Sequence, residues 1–131
     1  ELIDLSNNSL SEYPSALPPS IKRLRLPSNM MKGTIDFSSF PKQLEEINVA
    51  HNQLSGTVDF LSKLPSRLEV FDIAYNKFSG PINMREFPDS VRYVFLQHNE
   101  FTGRYDVSRL PLLSVKVLFG GNNWDSLIPK V

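Results

Sequence analysis

A frame of 15 residues, LEEINVAHNQLSGTV at positions 44–58, constrains this chain more than any other feature, because it returns along nearly the whole length. Its apolar side chains fall at Leu44, Ile47, Val49, Leu54 and Val58, with Asn52 fixed among them. The frame recurs as IKRLRLPSNMMKGTI from Ile21, LEVFDIAYNKFSGPI from Leu68, VRYVFLQHNEFTGRY from Val91 and, weakened, VKVLFGGNNWDS from Val115. Asn8, Asn29, Asn52, Asn76, Asn99 and Asn123 follow one another at intervals of 21, 23, 24, 23 and 24 residues. A period of that size is one supersecondary unit per repeat, stacked into a solenoid.

Each unit opens on LxxLxL, whose last residues alternate as a strand with one buried face does. Ile21, Leu24 and Leu26 are expected to face inward, and Lys22, Arg23 and Arg25 outward. So short a strand must pair in parallel with its counterpart one repeat along, about 4.8 Å away. The asparagine then has a structural task, because a chain turning inward after a strand buries backbone groups that an amide side chain can satisfy on both sides. Apolar residues two and six positions after it, Met31 and Ile35, Leu54 and Val58, Phe78 and Ile82, Phe101 and Tyr105, flank Gly33, Gly56, Gly80 and Gly103. The return path alternates Ile35 with Phe37, Val58 with Phe60, Ile82 with Met84 and Tyr105 with Val107, which predicts a short second strand. Pro41, Pro65, Pro88 and Pro111 bar a regular helix there.

The pattern LxxLxLxxNxLxGxI resembles the leucine-rich repeat, and its xLxGxI segment with a short return is closest to the plant-type and protozoan surface-protein versions. The resemblance implies an α/β-class horseshoe, a right-handed β-α superhelix with a parallel concave sheet of about six short strands. Its convex side is expected to consist of short strands, turns and 3-10 segments. One domain over 1–131 is expected, with a partial first repeat at 1–20, repeats at 21–43, 44–67, 68–90 and 91–114, and a degenerate capping repeat at 115–131. In that last repeat Gly120 stands for an inward aliphatic, Asp125 for an apolar residue, and Trp124 is placed to cover the open end of the core.

The 14 basic and 14 acidic residues balance, so charge gives no pull toward nucleic acid or an anionic membrane. No stretch approaches the roughly 18 apolar residues of a membrane span. The start, ELIDLSNNSL, lacks signal-peptide character and begins in mid-repeat, so the chain reads as a segment or processed form of a longer array. Absence of cysteine removes disulfides, thiolate metal sites and cysteine nucleophiles. The acceptor tripeptide Asn7-Asn8-Ser9 leans toward an extracellular or cell-surface setting, and an intracellular one stays open.

Catalytic motifs are not found: there is no phosphate loop, GxSxG or HExxH. His51 and His98 share a column two strand steps apart, about 9–10 Å, which is too far for one metal ion. Asp36, Asp59, Asn83 and Asp106 invite a calcium reading, but residues of this type ahead of a turn are read as caps. No cofactor or metal is expected.

Candidate binding residues come from the outward columns of the concave face. One column reads Asp4, Arg25, Asn48, Asp72, Phe95, Phe119; the one two residues earlier reads Arg23, Glu46, Val70, Tyr93, Val117. The position before each Asn reads Asn7, Ser28, His51, Tyr75, His98, Asn122, and the outermost reads Lys22, Glu45, Glu69, Arg92, Lys116. A charged half thus gives way to an aromatic one, where a solvated sheet face should be polar. The expectation is a non-catalytic module that binds a protein or peptide through Val70, Asp72, Tyr75, Arg92, Tyr93, Phe95, His98, Val117 and Phe119. The alternative is a structural or self-associating segment of a longer surface protein.

Overall fold

The computed structural model describes residues 1–59, 61–106 and 115–128, with backbone alone at 105, 106 and 126–128. Its strands in chain order are β1 (Leu2–Asp4), β2 (Arg23–Arg25), β3 (Lys32–Gly33), β4 (Glu46–Asn48), β5 (Gln53–Thr57) and β6 (Val70–Asp72). They continue as β7 (Lys77–Gly80), β8 (Tyr93–Phe95), β9 (Glu100–Phe101), β10 (Arg104–Asp106), β11 (Lys116–Leu118) and β12 (Ser126–Ile128). The LxL triplets form a parallel six-stranded sheet in the order β1-β2-β4-β6-β8-β11. In each triplet the middle residue turns inward and its two neighbours outward, so Leu24, Ile47, Phe71 and Val94 are fully buried.

The asparagines hold the coils together. Asn76 Oδ1 accepts from Leu54 N–H at 3.0 Å, while its Nδ2 donates to Val49, Ile73 and Ala74 carbonyls at 3.0, 3.2 and 3.1 Å. Asn29, Asn52 and Asn99 repeat this pattern, each bonding its own coil and the one before. The residue ahead of each asparagine takes positive φ, between 55° and 58° at Asn7, Ser28, His51, Tyr75 and His98. There its N–H reaches the next coil, as Tyr75 N–H does to Gln97 O at 2.9 Å.

The last turn corrects the sequence frame. Asn122, not Asn123, enters the ladder: Phe101 N–H donates to its Oδ1 at 3.1 Å, and its Nδ2 donates to Leu96, Phe119 and Gly120 carbonyls at 3.0, 3.0 and 3.2 Å. Gly121, at φ 68°, fills the positive-φ slot ahead of it. Trp124 thereby becomes the apolar residue two positions on, stacked on Phe101 with ring centroids 5.8 Å apart and donating Nε1–H to Phe119 O at 2.8 Å. Neither Gly120 nor Asp125 occupies a core position in this register, so the two expected departures are not departures. Trp124 does pack against the core at that end.

A second correction concerns the return path. The second sheet, β3-β5-β7-β9, begins one residue after the asparagine in β5, β7 and β9 and three residues after it in β3, earlier than the alternation predicts. Ile35, Phe37, Ile82 and Met84 lie outside it, although all four are buried. The caps explain this: Asp36 Oδ1 accepts from Ser38 N–H at 2.9 Å and Asn83 Oδ1 from Arg85 N–H at 3.1 Å, closing turns where strand pairing would continue. Short 3-10 turns follow at Leu61–Lys63 and Met84–Glu86. Tyr105 does fall in a strand, β10, which pairs with β12. Phe60 and Val107 lie outside the described residues.

Each return then closes on a proline carbonyl, accepting at 3.1, 3.2, 3.0 and 3.1 Å from Ile21, Leu44, Leu68 and Val91 N–H across Pro18, Pro41, Pro65 and Pro88. This tight turn delivers the chain to its next strand. Gly56, at φ 94°, lets β5 lie against the preceding coil, where a Cβ would come within 2.9 Å of Thr34 Cγ2.

Phe37, Phe71, Phe78 and Phe101 are among the largest fully buried side chains, each contributing roughly 1.5–3 kcal/mol. Tyr13 packs edge-on to Phe40, but its buried hydroxyl has no hydrogen-bond partner, and burial pushes its pKa up. Two expectations follow. Asn76→Ala leaves Leu54 N–H and at least one carbonyl unpaired and lowers unfolding free energy by about 3 kcal/mol or more, against under about 1 kcal/mol for Asn8→Ala at the exposed end. Tyr13→Phe keeps the ring contact, removes the stranded hydroxyl and gains about 1 kcal/mol. Urea denaturation of the three variants measures both.

Candidate binding face

Strand register defines the outward surface. From β1 to β11 the first outward column reads Leu2, Arg23, Glu46, Val70, Tyr93, Lys116, and the second reads Asp4, Arg25, Asn48, Asp72, Phe95, Leu118. Val117 pairs with Val94 and turns inward; Phe119 packs against the core in the slot that Leu96 fills one coil earlier. Both were expected on the binding face. The error comes from pinning the last frame on Asn123, which shifts every side chain of β11 to the opposite face. Leu118 and Lys116 hold those outward places instead. The pairing of Gly121 with Asn122, glycine in the positive-φ slot, was the available signal.

The charged end of the face is largely closed on itself. Arg25 grips Glu46 with both ends of its guanidinium, Nε to Oε2 at 2.8 Å and Nη2 to Oε1 at 3.0 Å. Asp4 accepts from Ser6 N–H at 3.0 Å and from the Ser6 hydroxyl, which lowers its pKa. Arg92, at the lip of the sheet, donates Nη1–H to the Asp89 and Val91 carbonyls at 2.9 and 3.1 Å.

The other end is open and apolar. Tyr93 is 46% exposed and Leu118 41%, with half-buried Phe95 beside them and Val70 on the adjoining strand. Tyr93 and Phe95 lie nearly parallel, 9° apart, with centroids at 6.4 Å. At the strand ends the positive-φ column forms a ring stack: His51 on Tyr75 at 4.2 Å and Tyr75 on His98 at 4.4 Å. Gly121 continues that column as bare backbone, and a Cβ there would lie 2.6 Å from His98 Nδ1. Val70, Asp72, Tyr93 and Phe95 therefore share one patch on β6 and β8. Tyr75 and His98 border it in the turn, and Arg92 borders it at the lip.

No protein-family model and no curated protein matches the sequence. Solved structures similar to it include two receptor kinases. The LRR ectodomain of the receptor kinase SOBIR1 from Arabidopsis thaliana matches with a TM-score of 0.78 at 24% identity, over 96% of this chain and 73% of that one. Pollen Receptor Kinase 3 matches with a TM-score of 0.59 at 18% identity, over 98% of this chain and 76% of that one. This is the leucine-rich-repeat fold.

On this leucine-rich-repeat scaffold a depression of about 730 Å³ lies on the return side, lined in part by Val58, Asp59, Ile82, Met84, Arg85 and Arg104, away from the patch. Among the described residues no three histidine, aspartate or glutamate side chains stand together as a metal site. Asp36 and Asn83 cap turns as above; Asp59 accepts from Thr57 Oγ1 at 2.5 Å, and the Asp106 side chain lies outside the described residues. No helix among the described residues is long and apolar enough to cross a membrane.

Asp72 is the carboxylate of the apolar end. Burial raises its pKa, opposed by the hydrogen bond from Ala74 N–H at 3.2 Å and by the charge of His51. A carboxyl whose folded pKa exceeds its unfolded one contributes stability in full below the unfolded value and loses it as pH rises through the folded value. Asn48 plays the same backbone role one strand away without charge, accepting from Ala50 N–H at 3.0 Å. Asp72→Asn is therefore expected to melt at or above wild type at about pH 7, with the difference shrinking toward about pH 4. Thermal scans at the two pH values decide it, and an advantage that grows on acidification contradicts the assignment.

Proposed function

We propose that this chain is a non-catalytic recognition module that takes a protein or peptide partner on the open face of the six-stranded sheet, at the end built from β6, β8 and β11. The observation that carries the reading is Tyr93 and Leu118 turned outward and exposed on adjacent strands, with Phe95 between them. Nothing in strand pairing requires apolar side chains at outward positions, and Arg23, Arg25 and Asn48 fill the same columns elsewhere. Leaving such surface in water forfeits about 25 cal/mol per Å², which a partner recovers. Rigid aromatic side chains on a sheet suit that role, since ordering them on binding costs little entropy.

In this reading Val70, Asp72, Tyr75, Arg92 and His98 surround the aromatic centre, and Leu118 and Lys116 serve in place of Phe119 and Val117. The ectodomain character of the similar receptor kinase supports a partner met outside the cell. A second copy of this chain is the competing occupant.

Peptides selected from a displayed random heptapeptide library on the immobilised chain provide the probe. Tyr93→Ala and Phe95→Ala are each expected to weaken the selected peptides by about 2 kcal/mol or more, about 30-fold, with the melting temperature unchanged. Full affinity in both variants, or a concentration-dependent dimer abolished by Phe95→Ala, overturns the proposal.

A further inference from the structure

The second outward column performs a repeated task, and one residue in it exceeds what the task needs. At the end of its strand the residue accepts a hydrogen bond from the backbone N–H two positions on: Asp4 from Ser6, Asn48 from Ala50, Asp72 from Ala74. Asn48 shows that a neutral amide suffices. Asp72 keeps a charge at this position although its carboxyl is half-buried and Glu46 repels it.

That charge is not neutralised as others on the face are. Asp4 lies near Arg25, and Arg25 is held by Glu46. Asp72 makes no ion pair with lysine or arginine among the described residues. Among the described residues, His51, from the turn of the preceding coil, is the one basic group whose charge favours its ionised form. One carboxylate oxygen accepts from Ala74; the other has no hydrogen-bond donor among the described residues. Opposite Asp72 on β8 stands Phe95, on its own strand Val70, and three residues further on the exposed ring of Tyr75.

Resting on the recognition reading above, we propose that Asp72, walled by Phe95, Val70 and Tyr75, is a seat for a basic side chain, so that the partner segment is an extended peptide carrying lysine or arginine near an aromatic or aliphatic residue. A cation placed there meets a carboxylate whose attraction is stronger at a partly desolvated site than in open water, while the apolar stem of its side chain lies along Phe95 and Val70. The apolar ground beyond Phe95 sets the spacing. Strand steps of about 4.8 Å put Leu118 two steps, roughly 10 Å, from Asp72, and side chains two apart on one side of an extended peptide are about 7 Å apart. A basic residue at Asp72 therefore brings an apolar residue two positions along onto Phe95 and Leu118.

The heptapeptides selected on the wild-type chain test this. Lysine or arginine is expected two positions from Phe, Tyr, Trp or Leu among them. Asp72→Asn, which retains the backbone acceptor, is expected to weaken these peptides by about tenfold or more, the loss that follows removal of a charge-assisted contact. Replacing the peptide lysine by norleucine should erase the difference between wild type and variant, and added salt should weaken wild-type binding alone. Peptides that lose affinity in Tyr93→Ala but show no basic preference, or bind Asp72→Asn undiminished, overturn the cation seat and leave the recognition reading standing. Selected peptides indifferent to Tyr93→Ala and Phe95→Ala, or burial of this face in a dimer, overturn both.

Discussion

The amide ladder of Asn29, Asn52, Asn76, Asn99 and Asn122 is the interaction on which the rest of the coil depends. Every coil must turn inward after a three-residue strand, and the turn strands a backbone N–H and several carbonyls inside the stack. Only a side chain that donates and accepts at once can satisfy both, and each asparagine does so across two coils. The cost appears one residue earlier, in the positive φ of Ser28, His51, Tyr75 and His98, roughly 1–2 kcal/mol each for side chains that disfavour it. Backbone bonds to the next coil and stacking of the rings offset that cost.

With register held by backbone and asparagines, the outward strand positions are released from structural duty. The inward column must be apolar, and Leu24, Ile47, Phe71 and Val94 are buried accordingly. The outward columns need only tolerate water, so their composition is free to carry something else. Arg25 with Glu46, and Asp4 with Ser6, spend that freedom on contacts within the chain. Tyr93 and Leu118 leave much of their side chains exposed, Tyr93 even while it lies against Phe95.

Most of the coil was legible because hydrophobic spacing and the asparagine beat report the same geometry. Met31, Leu54 and Phe78 fall in the core for the reason their spacing suggests. Two adjacent asparagines at 122 and 123 made the last frame ambiguous by one residue, and in a strand one residue exchanges the two faces. That single slip misplaced Val117 and Phe119 and hid Leu118. The second sheet was misplaced because alternation records burial, not pairing: Ile35 and Phe37 are buried in a capped turn just as they would be in a strand. The column of His51, Tyr75 and His98 was legible in the repeat frame, but its ring stacking was not, since bulky residues at positive φ run against local propensity and are held there by the turn.

Internal repetition also supplies a control that a single globular site lacks. Each column presents the same backbone environment several times over with different side chains, so a residue can be compared with its own counterparts. Asn48 and Asp72 differ only in charge at one such position and make the same bond to the backbone. The bond therefore cannot explain the charge, and burial beside Phe95 makes the charge costly to hold. By the same comparison Phe95 and Leu118 occupy places that Arg25 and Asn48 fill on other strands of the same sheet. What distinguishes this end of the sheet is thus not required by the coil, and that difference is the ground on which a partner is proposed to meet the sheet there.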